Sequence, residues 1–233
     1  MTLSNSSLEY VRKKLQGNFD VKHRVLGIIQ SDFPFENIEF VMSRVIRANV
    51  VGNVKSKEQA LALIISGNVV LFFSSMSDLV YCEARGFAKR AVDVPKTEAV
   101  LKGPREGNTE NLVDNISLIR RKVKNPDLKF ENVTIGQKTN TAAAIAYING
   151  VAPEHLVNYV KNEIAKAKFN FVLGSQAIDE RFHYGHTIFD TVGYTEKPDI
   201  AASKLLEGRI AVIVDGTPFI ATMPFFFLEY FQS

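Results

Sequence analysis

The sequence is poor in cysteine, in excess charge and in long apolar runs, and each shortage excludes a class of protein. Cys82 is the single cysteine among 233 residues, so no internal disulfide can form, which suits a reducing compartment. The net charge of +3 lacks the strong basic excess typical of nucleic-acid binders, so we expect no nucleic-acid partner. The most apolar stretch, residues 210–231, is broken by an Asp-Gly pair and two prolines, and residues 1–16 lack the apolar core of a signal peptide. We therefore expect these residues to be soluble and intracellular.

The motifs of common enzyme classes are missing as well. Residues 103–107, Gly-Pro-Arg-Glu-Gly, lack the Gly-Lys-Ser/Thr of a phosphate-binding loop, and no Gly-x-Ser-x-Gly of a serine hydrolase occurs. Cys82 lies in a predicted strand, where a buried and inert thiol is expected rather than a nucleophile. The sequence therefore predicts a protein without catalytic residues and without a cofactor.

One cluster has the composition of a metal site. Two imidazoles and two carboxylates lie close together in the sequence and could ligate zinc. The two histidines stand three residues apart in a segment with no helix to aim them, so we favour a polar loop without a bound metal. The four residues are Asp179, His183, His186 and Asp190.

Residues 103–129, GPREGNTENLVDNISLIRRKVKNPDLK, are the most informative stretch of the chain. Pro104 between two glycines, Gly103 and Gly107, predicts a shaped turn. An amphipathic helix is predicted to follow and to stop at Asn125-Pro126. Its apolar face contains Leu112, Ile116, Ile119 and Val123, and its last turn carries a basic cluster of Arg120, Arg121, Lys122 and Lys124.

Three arginines are candidate contacts to a ligand or a partner. Arg105, in the turn, can hold two subdomains together or bind an anion, although we favour a structural role, as a pair with a neighbouring carboxylate or a cap on helix carbonyls. Arg120 and Arg121 could face phosphates, lipid headgroups or acidic partner loops, and a solvated helix end is the default for such a cluster.

Three blocks of the chain recur in the same order, which predicts an internal duplication. In the clearest pair, residues 64–70 and 205–211, a helix is predicted to end at a glycine and a buried strand to follow. The other pairs are residues 11–22 with 119–129, and a strand and helix around Pro34 with those around Pro153. Capping signals agree, because Ser56 with Gln59 is predicted to open one helix of the clearest pair and Pro198 the other.

The predicted fold class is therefore mixed α/β, with two related subdomains joined by the Pro/Gly turn. The first is expected over residues 1–100 and the second over residues 101–223. The second is longer and has an additional predicted strand at 128–135, joined to 141–148 by a turn that contains Gly136. The Asp215-Gly216 pair is expected to supply the positive φ angles of a tight hairpin turn.

Residues 103–129 together with 205–219, LLEGRIAVIVDGTPF, closely resemble the soluble N-terminal domain of A subunits in GerA-type spore germinant receptors. Two positions depart from the family pattern: Asn108 replaces an aromatic residue, and Lys197 replaces an arginine and so loses a bidentate fork. The matching residues include Gly103, Pro104, Arg105, Gly107, Asn115, Arg120, Arg121, Asp215, Gly216 and Pro218.

The resemblance implies a non-enzymatic signalling and assembly module on the cytosolic, core-facing side of the spore inner membrane. It implies B and C subunits as partners, with other A subunits and a weakly bound nutrient as further candidates. The aromatic-rich residues 224–233 are then expected to begin the connection to a membrane domain that this sequence lacks. Two alternatives stay open: a nutrient-binding module that uses the cleft between the subdomains, and the homologous domain of a spore membrane protein encoded with the dipicolinic acid channel.

Overall fold

A computed structural model describes residues 3–24, 42, 50–73, 78–83, 106–167, 178, 181–182, 191–226 and 229. It shows a mixed α/β protein, as the sequence predicts, with two antiparallel sheets in two compact units. The first unit takes its described residues from 1–16, 21–88 and 124–126, and the second takes its own from 17–20, 89–123 and 127–233. Among the described residues, no helix is both long and apolar enough to span a bilayer.

In the described part of the first unit, two helices pack with a three-stranded sheet. Strand β3 lies in the middle, with β1 and β2 antiparallel to it on either side. Leu79 on β3 and Ala60 on the second helix are fully buried, which centres the core between that helix and the sheet. The elements are α1 (Leu3–Lys14), β1 (Val51–Val54), α2 (Lys57–Ile65), β2 (Val69–Phe72) and β3 (Leu79–Cys82).

The second unit is built on a five-stranded antiparallel sheet in the order β4-β5-β7-β8-β6. Its strands are β4 (Leu128–Ile135), β5 (Thr141–Ile148), β6 (Gly193–Thr195), β7 (Ile210–Val214) and β8 (Ile220–Met223). Its helices are α3 (Leu112–Lys122), α4 (Glu154–Lys166) and α5 (Pro198–Leu206).

Two buried clusters, one on each face of this sheet, form the core of the second unit. On one face, Val157, Val160 and Ile164 of α4 pack with Ile145 and other inward residues of the strands. On the opposite face, apolar residues of α3 and α5 pack over Phe130, Ala144 and Ile213. All five residues of β7 are buried, because this central strand is covered on both faces. The second unit is therefore a three-layer sandwich.

The two units repeat one local arrangement of strand, helix and two further strands. Val54 lies opposite Leu79 in the first unit, and Thr195 lies opposite Ile220 in the second. The offset is the same at both positions (195 − 54 = 141; 220 − 79 = 141). Strand orders β1-β3-β2 and β6-β8-β7 also agree. This likeness supports the sequence repeat at its clearest block, while descent of the two units by duplication stays a prediction.

Both helices of the repeat begin and end as the sequence indicates. The Ser56 side chain caps α2 by accepting the Gln59 N–H at 3.1 Å, and Pro198 is the first residue of α5. Gly67 and Gly208 follow the helix ends with φ of 84° and 88°, in the left-handed region that glycine tolerates.

The helix predicted around Pro153 is α4, with Pro153 as its N-cap residue and Glu154 as its first residue. One local prediction is wrong in detail. Only Gly216 of the β7–β8 connection has a positive φ, of 88°, so Asp215 does not share a two-residue tight turn with it. Five residues, 215–219, separate the two strands. The Asp215 carboxylate accepts a hydrogen bond from the start of α3. The strand and helix predicted around Pro34 lie outside the described residues.

Candidate functional site

The start of α3 is a junction that ties distant parts of the second unit together. The Asn111 side chain accepts hydrogen bonds from the N–H groups of Val113 at 2.8 Å and Asp114 at 3.1 Å. The Leu112 N–H donates to Oδ1 of Asp215 at 3.0 Å. Three N–H groups that a helix start leaves without intrahelical partners are thereby satisfied, one of them by the β7–β8 connection.

The segment before α3 completes this junction. Asn115, which is fully buried, accepts the Thr109 N–H at 2.7 Å and donates to the Thr109 carbonyl at 2.6 Å. The N–H of Gly216 donates to the Glu110 carbonyl at 2.7 Å, and the N–H of Asn108 donates to the Glu196 carbonyl at 2.7 Å. Asn108 thus makes polar contacts with the β6–α5 connection at the position where the family pattern has an aromatic residue.

Arg120 is an internal residue and does not lie on a solvated helix end. Its side chain is 8% exposed and forms a two-pronged pair with Asp20, with the shortest nitrogen–oxygen distance 2.9 Å. It also donates to the Leu128 carbonyl at 3.0 Å, and its guanidinium lies 4.8 Å from the centre of the Phe130 ring. Burial lowers the pKa of Arg120, and Asp20 opposes that change. The Arg120 guanidinium is therefore occupied by its pair with Asp20 in this conformation.

Arg121 and Lys122, next along the helix, are more exposed. Both pair with Glu106, with Lys122 at 3.2 Å. These pairs are partly solvated and add little to stability. Of the predicted contact residues that the structure describes, Arg121 is the one that presents charge to solvent, and its ligand or partner contact stays a prediction.

Residues 224–226 and 229, which we call the C-terminal segment, are held by a second group of charged and aromatic residues. We name this group the C-terminal clamp. Glu229 pairs with both Lys204 of α5 and Arg209, which lies just before β7. The Lys204 ammonium lies 5.2 Å from the centre of the Phe225 ring, and the Arg209 guanidinium lies 4.4 Å from that of Phe226. The clamp residues are therefore Lys204, Arg209, Phe225, Phe226 and Glu229.

Further contacts anchor this segment to the sheet. The Phe225 N–H donates to the Thr191 carbonyl at 3.0 Å, and Arg209 donates to the Pro224 carbonyl at 3.3 Å. The Phe225 ring lies so close to Gly193 that a Cβ at that position would overlap it. Burial alone would raise the pKa of Glu229, but hydrogen bonds from Lys204, the Phe226 N–H and Arg209 outweigh burial and lower the pKa.

The remaining predicted site residues divide into two groups. Gly103, Pro104 and Arg105 lie outside the described residues, as do the four candidate metal ligands Asp179, His183, His186 and Asp190. Among the residues that are described, no group of three or more His, Cys, Asp or Glu side chains is arranged to hold a metal. Gly107 and Asn115 are buried at the junction, whereas Asp215 and Gly216 are exposed and Pro218 is partly exposed. Burial raises the pKa of the Cys82 thiol on β3, which disfavours the reactive thiolate.

Sequence reasoning missed the clamp. The aromatic-rich residues 224–233 predict a connection to a membrane domain and no internal contact, and Lys204 and Arg209 lie in no motif. A single signal was available: Glu229 is an isolated acid among large apolar residues, which suggests a buried or paired carboxylate.

Comparison with known proteins gives a consistent result. The sequence model of the Bacillus/Clostridium GerA spore germination protein family matches residues 5–233. Spore germination protein KA of Bacillus subtilis is 37% identical over 227 residues, which cover 94% of this chain and 41% of that protein. Stage V sporulation protein AF of the same organism is 31% identical over 193 residues, which cover 82% of this chain and 39% of the relative. The chain thus spans about two fifths of the length of these relatives.

A solved structure has the same fold. The N-terminal domain of the A subunit of the Bacillus megaterium spore germinant receptor GerK3 superposes with a TM-score of 0.64. The match covers 94% of both chains at 24% sequence identity.

Proposed function

Because this chain belongs to the GerA family of spore germination proteins, we propose that it is the N-terminal domain of a germinant receptor A subunit, acting as a non-enzymatic signalling and assembly module. It works with the receptor's B and C subunits and with other A subunits. Its place is the core-facing side of the spore inner membrane, and residues 224–233 lead towards the membrane part of the protein.

The C-terminal clamp is the observation that carries this proposal. In the proposed receptor, residues 224–233 are the covalent link between the second unit and the membrane part of the protein. Lys204 of α5 and Arg209 just before β7 both form ion pairs with Glu229. The C-terminal segment therefore contacts two elements of the unit. A displacement of either element would therefore also move the C-terminal residues that it holds. A signalling domain needs such coupling between a change in its fold and its connection to the rest of the protein.

The proposal is tested by loosening the clamp in the full-length receptor. Arg209→Gln removes the guanidinium from both Glu229 and the Pro224 carbonyl, and Lys204→Gln removes the second cation. We expect spores with the double variant to respond to nutrients about tenfold more slowly, the factor that corresponds to losing about 1.4 kcal/mol of coupling between the second unit and the membrane part. Germination is measured as the loss of optical density after nutrient addition.

The matched control is Arg181→Gln, which removes an arginine–carboxylate pair with Glu163 elsewhere in the same unit. Control spores should germinate as the parent strain does. Immunoblots must show equal receptor levels in all strains, so that loss of the protein is not mistaken for loss of the signal. Normal germination of the clamp variant at equal receptor levels would refute the proposed route.

A further inference from the structure

Strand β4 forms one edge of the five-stranded sheet, and the chain itself covers the first half of that edge. Phe130 accepts the Phe19 N–H at 3.3 Å, and its own N–H donates to Oδ1 of Asn18 at 3.2 Å. The Leu128 carbonyl accepts a bond from Arg120 at 3.0 Å. The N–H and carbonyl of Phe130 and the carbonyl of Leu128 therefore point away from β5 and have hydrogen-bond partners.

The second half of the same edge is open. In an antiparallel pair every second residue turns its N–H and C=O away from its partner, so Asn132 and Thr134 face the same way as Phe130. Ala142, opposite Thr134, uses its carbonyl on the other side, where it accepts the Asp215 N–H at 2.9 Å. Within the part of the chain that the structure describes, no hydrogen bond reaches the outward groups of Asn132 and Thr134, and both residues are exposed.

A groove runs beside this open edge, between β4 and α4. It has a volume of about 990 Å³ and a floor that includes Val133, Ile135 and Ile164. Glu131 and Lys161 form its charged side, with their side chains 2.7 Å apart, and the Tyr147 hydroxyl donates to Glu131 at 2.5 Å. Side chains that alternate along an added strand would enter this groove from one face of the strand.

We propose that the Asn132–Thr134 edge and its groove bind an extended segment of a partner protein, which adds to the sheet beside β4. The segment has apolar residues at alternate positions and a carboxylate near the 136–140 turn. Its backbone continues the hydrogen bonding that Asn18 and Phe19 begin at Phe130. An open edge of this kind is a template for such strand addition.

Charge at the groove end favours an acidic partner. Lys138 in the 136–140 turn is exposed, and the Lys166 side chain is 69% exposed with a weak 3.8 Å contact to Glu163. Gln137 and Asn140 of the same turn line the groove and offer amide groups. A carboxylate placed there would meet the Lys166 cation and these amide donors, and Lys138 adds positive charge in the same turn. This inference is independent of the signalling role proposed above.

The test uses the 233-residue chain and a fluorescein-labelled peptide, Thr-Val-Thr-Val-Thr-Asp, with blocked ends. We expect saturable binding by fluorescence anisotropy, with a dissociation constant on the order of 0.1 mM, and amide shift changes in two-dimensional NMR at Asn132 and Thr134. The same peptide with every second backbone nitrogen methylated cannot donate along one edge and should bind at least about tenfold more weakly.

Two sets of variants localise the effect. Thr134→Pro removes an outward N–H but leaves the β4–β5 bonds in place, and should weaken binding about tenfold, whereas Thr134→Val keeps the N–H and should bind normally. If the proline variant does not fold, Lys138→Glu with Lys166→Glu provides the second test. That variant should bind the Asp-ended peptide more weakly and a Lys-ended peptide more tightly.

The outcomes that overturn the proposal are equally specific. No shift change at about 1 mM peptide, or changes confined to residues outside the edge and groove, would exclude this site. Absence of peptide binding together with self-association that Thr134→Pro abolishes would assign the edge to a second copy of the chain instead.

Discussion

Arg120 and Arg121 are neighbours in the sequence, and they differ in almost every physical respect. Arg120 is buried, pairs with Asp20 and lies over Phe130, while the Arg121 side chain is 52% exposed and pairs with Glu106. One residue along a helix turns the side chain by about 100°, which is enough to change its surroundings from core to solvent. The pair therefore provides its own internal control.

We expect Arg120→Ala to lower the free energy of unfolding by about 3 kcal/mol, since it leaves Asp20 and the Leu128 carbonyl without their charged donor. Arg121→Ala should change it by less than about 0.5 kcal/mol, because exposed pairs contribute little. Urea unfolding followed by circular dichroism measures both. Equal effects of the two substitutions would show that the buried pair is not a stabilising anchor.

Gly193 is required for a different reason, which is space. Gly193→Ala would place a Cβ inside the Phe225 ring, and the ring would have to move. We expect a loss of about 1–3 kcal/mol, the usual cost of overpacking. In the double variant with Phe225→Ala the two losses should be less than additive, because the clash is gone. Strict additivity in thermal unfolding experiments would contradict this contact.

At the scale of helices and strands, the local pattern of the sequence carries most of the information. The predicted strands 128–135 and 141–148 have the bounds of β4 and β5. The predicted helix is present as α3, but it ends at Lys122, so Lys124 lies beyond its last turn. Alternation of apolar residues, helical spacing and capping signals are local properties, so one sequence suffices to see them. The exception is Asp215, which bonds the Leu112 N–H across 103 positions of the chain.

The candidate site was harder to predict because its contacts are not local. Arg120 meets an acid 100 positions earlier, and Arg209 meets Glu229 20 positions later. Charge clusters in a sequence do not reveal which member the fold will bury. The basic cluster at the end of α3 was therefore predicted as one exposed surface, although Arg120 lies inside.

The two glycines of the repeated helix ends allow a matched comparison. Gly67→Ala should cost about 1–2 kcal/mol, the strain of alanine in a left-handed conformation. Gly208→Ala should cost more, since its Cβ would also lie 2.9 Å from the Val151 carbonyl oxygen. Thermal unfolding of both variants measures the difference. A loss of stability at Gly208 no larger than that at Gly67 would show that the backbone at Val151 moves aside at no measurable cost in free energy.

The clamp makes the attachment of the C-terminal segment depend on pH. The pKa of Glu229 is lowered from its ordinary value of 4.5, so its stabilising contribution is complete above that pH and is lost as the pH falls through the lowered value. The protection of the Phe225 and Phe226 N–H groups from hydrogen exchange, taken relative to the intrinsic rate at the same pH, should therefore fall under acid conditions. Glu229→Gln should show low protection at every pH; a Glu229→Gln profile that keeps the acid transition would assign the transition to another group.

At the scale of the whole molecule, each unit has its own buried core. Leu79 centres the core of the first unit, while the second has one cluster on each face of its sheet. Leu79→Ala should cost about 2–5 kcal/mol and should accelerate hydrogen exchange in β1, β2 and β3. Exchange in β5 and β7 should stay slow. Equal acceleration in all five strands would show that the units unfold as one.

The interleaving of the two units limits how the molecule can be divided. Residues 17–20 belong with the second unit although the chain on either side of them belongs with the first. A fragment that starts at residue 101 would lose Asp20 along with Asn18, and would retain a guanidinium with no counter-ion beneath Phe130. Expressing the second half alone would thus call for a short peptide spanning residues 17–20, supplied in trans or grafted ahead of α3.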